Sequence, residues 1–105
     1  ALGGPGGKTN PEQLFAAGYA ACFHNAVRHI ARGQKLPLTG AAVTASVSLN
    51  AAPTGGFALG VALDVEIEGL DQAGAEALVA AAHQVCPYSN ATRGNIDVGI
   101  TVSAA

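Results

Sequence analysis

The sequence predicts an α+β fold of antiparallel strands with helices on one face. Three observations carry this: a long helical segment opened by a capped proline, two runs of alternating apolar and polar residues after it, and a second helix before a third such run. Asn10, Pro11 and Gln13 supply an N-cap, a first-position proline and an N3 amide, and Gly33 after Arg32 is a stop signal, so helix 1 is expected from about Pro11 to Arg32. Its first half, Leu14 to Phe23, is apolar around the circumference, which predicts burial by its own sheet and by a partner subunit. Val43, Ala45, Val47 and Leu49 then alternate with Thr44, Ser46 and Ser48, and Phe57 to Ile67 repeat the pattern. The intervening AAPTGG, with Pro53 and paired glycines, predicts an antiparallel hairpin. Asp71 caps a second helix from about Gln72 to Val85, with Ala75, Leu78, Val79, Ala82 and Val85 as its apolar face, and Pro87 ends it. Ile96, Val98, Ile100 and Val102 mark the third strand, giving the order α-β-β-α-β.

The totals bound the function. A chain of 105 residues is one domain, read here as spanning 1–105. Charged residues are only 11 % of it and apolar residues 50 %, too few charges to coat an isolated monomer, so a two-fold homodimer is expected. A formal net charge of -2 without a Lys/Arg cluster argues against nucleic acid or anionic membrane as partner. The apolar stretch from Leu14 to Phe23 is far shorter than the roughly twenty residues that cross a bilayer. With no basic-then-apolar leader, a soluble, cytoplasmic protein is expected. The opening ALGGPGGKTN reads as a glycine-rich linker, compatible with the remnant of a longer segment.

Two cysteines permit one disulfide, and without an oxidising compartment such a pair is more often inert or redox-active than a structural staple. Cys22 lies mid-helix, where its own helix dipole does not reach, so activation would require a cation from elsewhere in the fold or from a partner chain. From composition alone it reads first as one more small buried core residue. At 100° per residue Phe15, Gly18, Tyr19, Ala26 and His29 share its side, and the missing side chain at Gly18 leaves a gap for the Cys86 turn. Cys86 falls at a helix break before Pro87, with the following backbone N–H groups expected to point its way, and stands evenly between reactive and inert. Were the two sulfurs to meet, Cys22 would form a sulfenic acid and Cys86 would condense with it to a disulfide.

Glu12 in the first helical turn stabilises the dipole whatever the function. His24 and His29 point apart, and His83 with Cys86 offers two ligands at most, so no metal site is expected. His83 would interact with the carbonyls ending its helix, or tune Cys86 from one turn away, and Arg93 would make a turn or dimer contact. Phe15, Tyr19, Phe23 and Tyr88 are core candidates that would also serve as a pocket for an organic substrate.

TNPEQLFAAGYAACF (Thr9 to Phe23) and VCPYSNATRGNI (Val85 to Ile96) resemble the two cysteine motifs of the organic hydroperoxide resistance branch of the Ohr/OsmC family, and the likeness covers essentially the whole chain from Leu2. The resemblance implies an OsmC-like fold, an antiparallel sheet packed on a long central helix carrying the first cysteine in an intertwined homodimer. It implies a thiol-dependent peroxidase that reduces organic hydroperoxides to alcohols, with Cys22 peroxidatic, Cys86 resolving and Glu12 the site carboxylate. No bound cofactor is implied; an external dithiol or lipoylated protein is the implied reductant. About ten residues, or ~15 Å of helix, separate Glu12 from Cys22, so the Glu12 serving one thiol is expected from the other subunit. The family also holds the thiolate with an arginine from an N-terminal strand region. That segment would precede Ala1, and none of Lys8, Arg28, Arg32 or Arg93 lies on the Cys22 face, so residues 1–105 alone are expected to turn over poorly. The rival readings are an apolar-ligand or dithiol binding module of the same fold and a thiol-based redox or metal sensor.

Overall fold

A computed structural model describes residues 10–105; the expected linker, with Lys8, lies outside them. The elements are α1 (Pro11–Gly33), β1 (Gly40–Ala51), β2 (Phe57–Glu68), α2 (Gln72–Val85), α3 (Pro87–Thr92) and β3 (Val98–Ala104). The Asn10 side chain accepts the Gln13 amide at 2.9 Å while the Gln13 side chain accepts the Asn10 amide at 3.2 Å, a complete capping box. The stop differs from expectation. Gly33 is still helical, and the left-handed turn falls on Lys35 at φ 56, with the Leu36 amide bonded to the Ala31 carbonyl.

The three strands form one sheet in the order β1-β2-β3. β1 and β2 make the expected antiparallel hairpin, Val43 facing Val65, and Gly55 and Gly56 supply the positive φ its turn requires. β3 corrects the all-antiparallel expectation: it runs parallel to β2, Val98 facing Val61, because α2 and α3 carry the chain back to the end where β2 began.

Period-2 alternation sets the layers. Val61, Leu63, Val65 and Ile67 of β2 are buried against Phe23, Val27, Leu78 and Val79 of the helices, while Thr44, Ser46, Asp64, Glu66, Thr101 and Ser103 face outward. Tyr19, Phe23, Val27, Leu63, Val65, Ile67 and Leu78 are the large side chains almost wholly withdrawn from solvent. The first half of α1 is covered on one side only within this chain: Leu14, Ala17 and Ala21 are exposed, as are Phe57, Val85 and Tyr88 elsewhere. Val85 therefore leaves the expected buried face of α2, at 45 % exposure. No helix among the described residues is long and apolar enough to cross a membrane.

Candidate thiol site

Folding brings together two cysteines that are far apart in sequence. Cys22, in the middle of α1, and Cys86, between α2 and α3, place their sulfurs 3.2 Å apart as free thiols. Two local features produce this. The ring of Pro87 ends the α2 hydrogen-bond ladder and starts α3, so Cys86 sits extended at the joint with φ -65 and ψ 122. Gly18 leaves the gap expected on α1, and the Tyr88 ring fills it: a Cβ built on Gly18 would lie 3.1 Å from the Tyr88 hydroxyl. The tyrosine occupies the gap and Cys86 lies beside it. Tyr88 is seated further by stacking on Phe15, with centroids 6.0 Å apart and planes 18° apart.

The two thiols differ in surroundings. Cys86 is fully buried, and its side chain makes no capping bond to α3, contrary to the expectation that the following amides would serve it. The Tyr88 amide turns to Cys22 instead. Burial pushes the Cys22 thiol above its ordinary pKa, the Tyr88 backbone hydrogen bond pulls it down, and the Cys86 thiol alongside raises it again. Cys22 is half-buried and opens on a cavity of about 390 Å³ lined also by Asn25, Ala26, His29, Val85 and Pro87. That lining is mostly apolar, with Asn25 and His29 as its polar residues.

The other expected site residues fall elsewhere. Glu12 lines a separate cavity at the start of α1 with Asn10, Gln13, Ala16, Ala45 and Val47, and does not face Cys22 in this chain. None of the four candidate pocket aromatics lines the Cys22 cavity: Tyr19 and Phe23 are buried in the core, and Phe15 and Tyr88 stack at its edge. Arg28 and Arg32 border a third cavity with Leu36 and Leu38. Arg93 takes the role expected of His83, donating to the His83 carbonyl at 2.6 Å and to the Asn90 side chain at 2.7 Å. The His83 ring turns inward, its Nδ1 2.8 Å from the Ser89 hydroxyl, and burial followed by the Arg93 charge lowers its pKa, which favours neutral imidazole. No group of three or more His, Cys, Asp or Glu among the described residues could hold a metal ion.

Ser89 and Thr92 were not singled out by the sequence reading. Both are buried, at 0 % and 3 % exposure, and Tyr19 places its hydroxyl 2.8 Å from Ser89 and 3.3 Å from Thr92. The available signal was the three-residue spacing of Ser89 and Thr92, which puts both on one face of α3.

The family model described as OsmC-like protein matches residues 4–101. The chain belongs to the OsmC-like family. Within it, the chain sides with the organic hydroperoxide resistance branch. It is 55 % identical over 104 residues to the organic hydroperoxide resistance protein of Xanthomonas axonopodis pv. citri, covering 97 % of this chain and 72 % of that one. The crystal structure of an organic hydroperoxide resistance protein from Legionella pneumophila superposes with a TM-score of 0.92 at 65 % identity, over 97 % of this chain and 74 % of that one. OhrB of Bacillus subtilis gives 0.86 at 50 % identity, over 90 % and 70 %. The α+β architecture, with the first cysteine on the long helix, is therefore that of the OsmC-like family.

Proposed function

We propose that this chain is a thiol-dependent peroxidase for organic hydroperoxides. The observation that carries the reading is the pair of thiols 3.2 Å apart, one sealed in the core and the other opening on a largely apolar cavity. Relatives named organic hydroperoxide resistance proteins support a role in peroxide detoxification and the oxidative stress response. In the proposed reaction the Cys22 thiolate attacks the terminal oxygen of the hydroperoxide. An S–O bond forms, the O–O bond breaks, and the alkoxide takes a proton and leaves as alcohol. Cys86 then attacks the sulfenic sulfur; the S–S bond forms, the S–O bond breaks, and the departing oxygen leaves as water with the Cys86 proton. An external dithiol of lipoyl type restores both thiols by two exchanges.

The raised Cys22 pKa runs against fast peroxide chemistry, because only the thiolate attacks. The activating cation is accordingly assigned to groups outside the described residues, as the family resemblance expects, in a cytoplasmic homodimer that covers the exposed side of α1 and brings Glu12 of one chain toward the thiol of the other. The same raised pKa favours a second reading, a binding module that holds an apolar ligand or dithiol without turnover. Titrating the reduced protein with cumene hydroperoxide and then adding dihydrolipoamide separates them. Fast loss of both free thiols followed by their recovery supports the peroxidase; slow loss supports the binding module.

A further inference from the structure

The hydroxyl of Ser89 occupies an unusual position between the two cysteine helices. On one side it meets Tyr19 of α1 at 2.8 Å, and on the other His83 of α2 at 2.8 Å. Tyr19 lies three residues before Cys22 and His83 three residues before Cys86, so each partner stands one helical turn from a sulfur. Ser89 itself is on α3, three residues after Cys86. One oxygen atom thus links the three helices that meet at the thiol pair.

The protons can be placed consistently. Thr92 donates its hydroxyl proton to the Ser89 carbonyl at 3.2 Å, so toward Tyr19 it can only accept. All three contacts are then satisfied when Tyr19 donates to Thr92, Ser89 donates to Tyr19, and the Nδ1–H of a neutral His83 donates to Ser89. Among the described residues no buried side-chain nitrogen or oxygen lacks a hydrogen-bond partner, so the cluster is closed. A network of this kind is costly to leave half-made, which makes it a stiff connection between elements.

We propose that Ser89 is a positioning residue for the resolving step, fixing α2 and α3 against α1 so that Cys86 stays within bonding reach of Cys22. The proposal rests on the thiol-pair reading above. Disulfide formation draws the sulfurs from 3.2 Å to about 2.05 Å, and it is favoured by whatever keeps the helices from separating in the reduced state. Removing the tie lowers the effective concentration of one thiol at the other. The reaction of Cys22 with an outside reagent is expected to be unchanged, because Ser89 does not line the Cys22 cavity.

The test measures the equilibrium of the Cys22–Cys86 pair with reduced and oxidised glutathione in the full chain, read by alkylation and intact mass. For Ser89→Ala and for Tyr19→Phe, which deletes a single oxygen, the equilibrium constant for disulfide formation falls about tenfold, while His83→Asn, with an amide near the Nδ1 position, stays within about twofold of the parent. Iodoacetamide modifies reduced Cys22 in Ser89→Ala at the parent rate. A purely structural role would lower the melting temperature of reduced and oxidised protein together and leave this constant unchanged; parent-like constants in both Ser89→Ala and Tyr19→Phe overturn the proposal. Should Ser89→Ala fail to fold, Tyr19→Phe alone decides. Peroxide plays no part in the measurement. A parent protein that ignores cumene hydroperoxide yet forms the disulfide in glutathione therefore sinks the peroxidase reading and leaves the positioning role standing.

Discussion

Cys22 and Cys86 are neighbours in space and opposites in setting. Cys22 sits on a continuous helix, half-buried, facing a cavity, with its thiol held up by burial. Cys86 sits where one helix ends and another begins, with no exposed surface and Cys22 directly beside it. The difference teaches a division of labour. An outside reagent can approach the first sulfur, whereas the second is protected from reagents and is reached most directly through its neighbour.

That contrast can be broken most severely by removing the open thiol. Cys22→Ser is expected to abolish peroxide-driven thiol loss altogether, leaving Cys86 titratable only after denaturation, as followed with a colorimetric thiol reagent. Cys86→Ser is expected to keep the first oxidation but to lose dithiol-supported turnover, with Cys22 progressing to sulfinic acid in the mass spectrum. Equal loss of the first step in both variants would erase the distinction between the two thiols.

Gly18 sharpens the comparison from the packing side. Gly18→Leu drives a side chain into the Tyr88 ring, whose hydroxyl would stand 3.1 Å from the new Cβ, and so pushes away the turn that holds Cys86. A loss of about 1–3 kcal/mol in urea unfolding is expected, together with slower disulfide closure after peroxide. The smallest effect concerns pH. Because the Cys22 pKa lies above that of an ordinary thiol, less thiolate is present at neutral pH, and iodoacetamide alkylation of Cys22 in residues 1–105 should be slower there than in an unstructured cysteine peptide. The rate should climb through alkaline pH and level off later than the peptide does. A plateau already at neutral pH would mean that these residues activate the thiol unaided.

The starts of α1 and α2 were legible from short-range chemistry, since Asn10 with Gln13 and Asp71 with Gly74 act through backbone groups three residues away. The hairpin was legible too, because alternation and a glycine pair fix its register locally. The direction of β3 was not. Alternation is the same in parallel and antiparallel strands, and here the direction followed from the crossover through α2 and α3. Of the site, the cysteines stood out by type and by Pro87, and Gly18 by its missing side chain. The buried hydroxyls of Ser89 and Thr92 did not, because small polar residues in a turn ordinarily face water, and their burial depends on where Tyr19 and His83 arrive from two other helices.

The most direct test of the account is peptide mapping of dilute protein after a single equivalent of cumene hydroperoxide. The account predicts one intrachain crosslink joining the peptide with Cys22 to the peptide with Cys86. Recovery of the two cysteines in separate peptides, with Cys22 over-oxidised and Cys86 still a thiol, would contradict it.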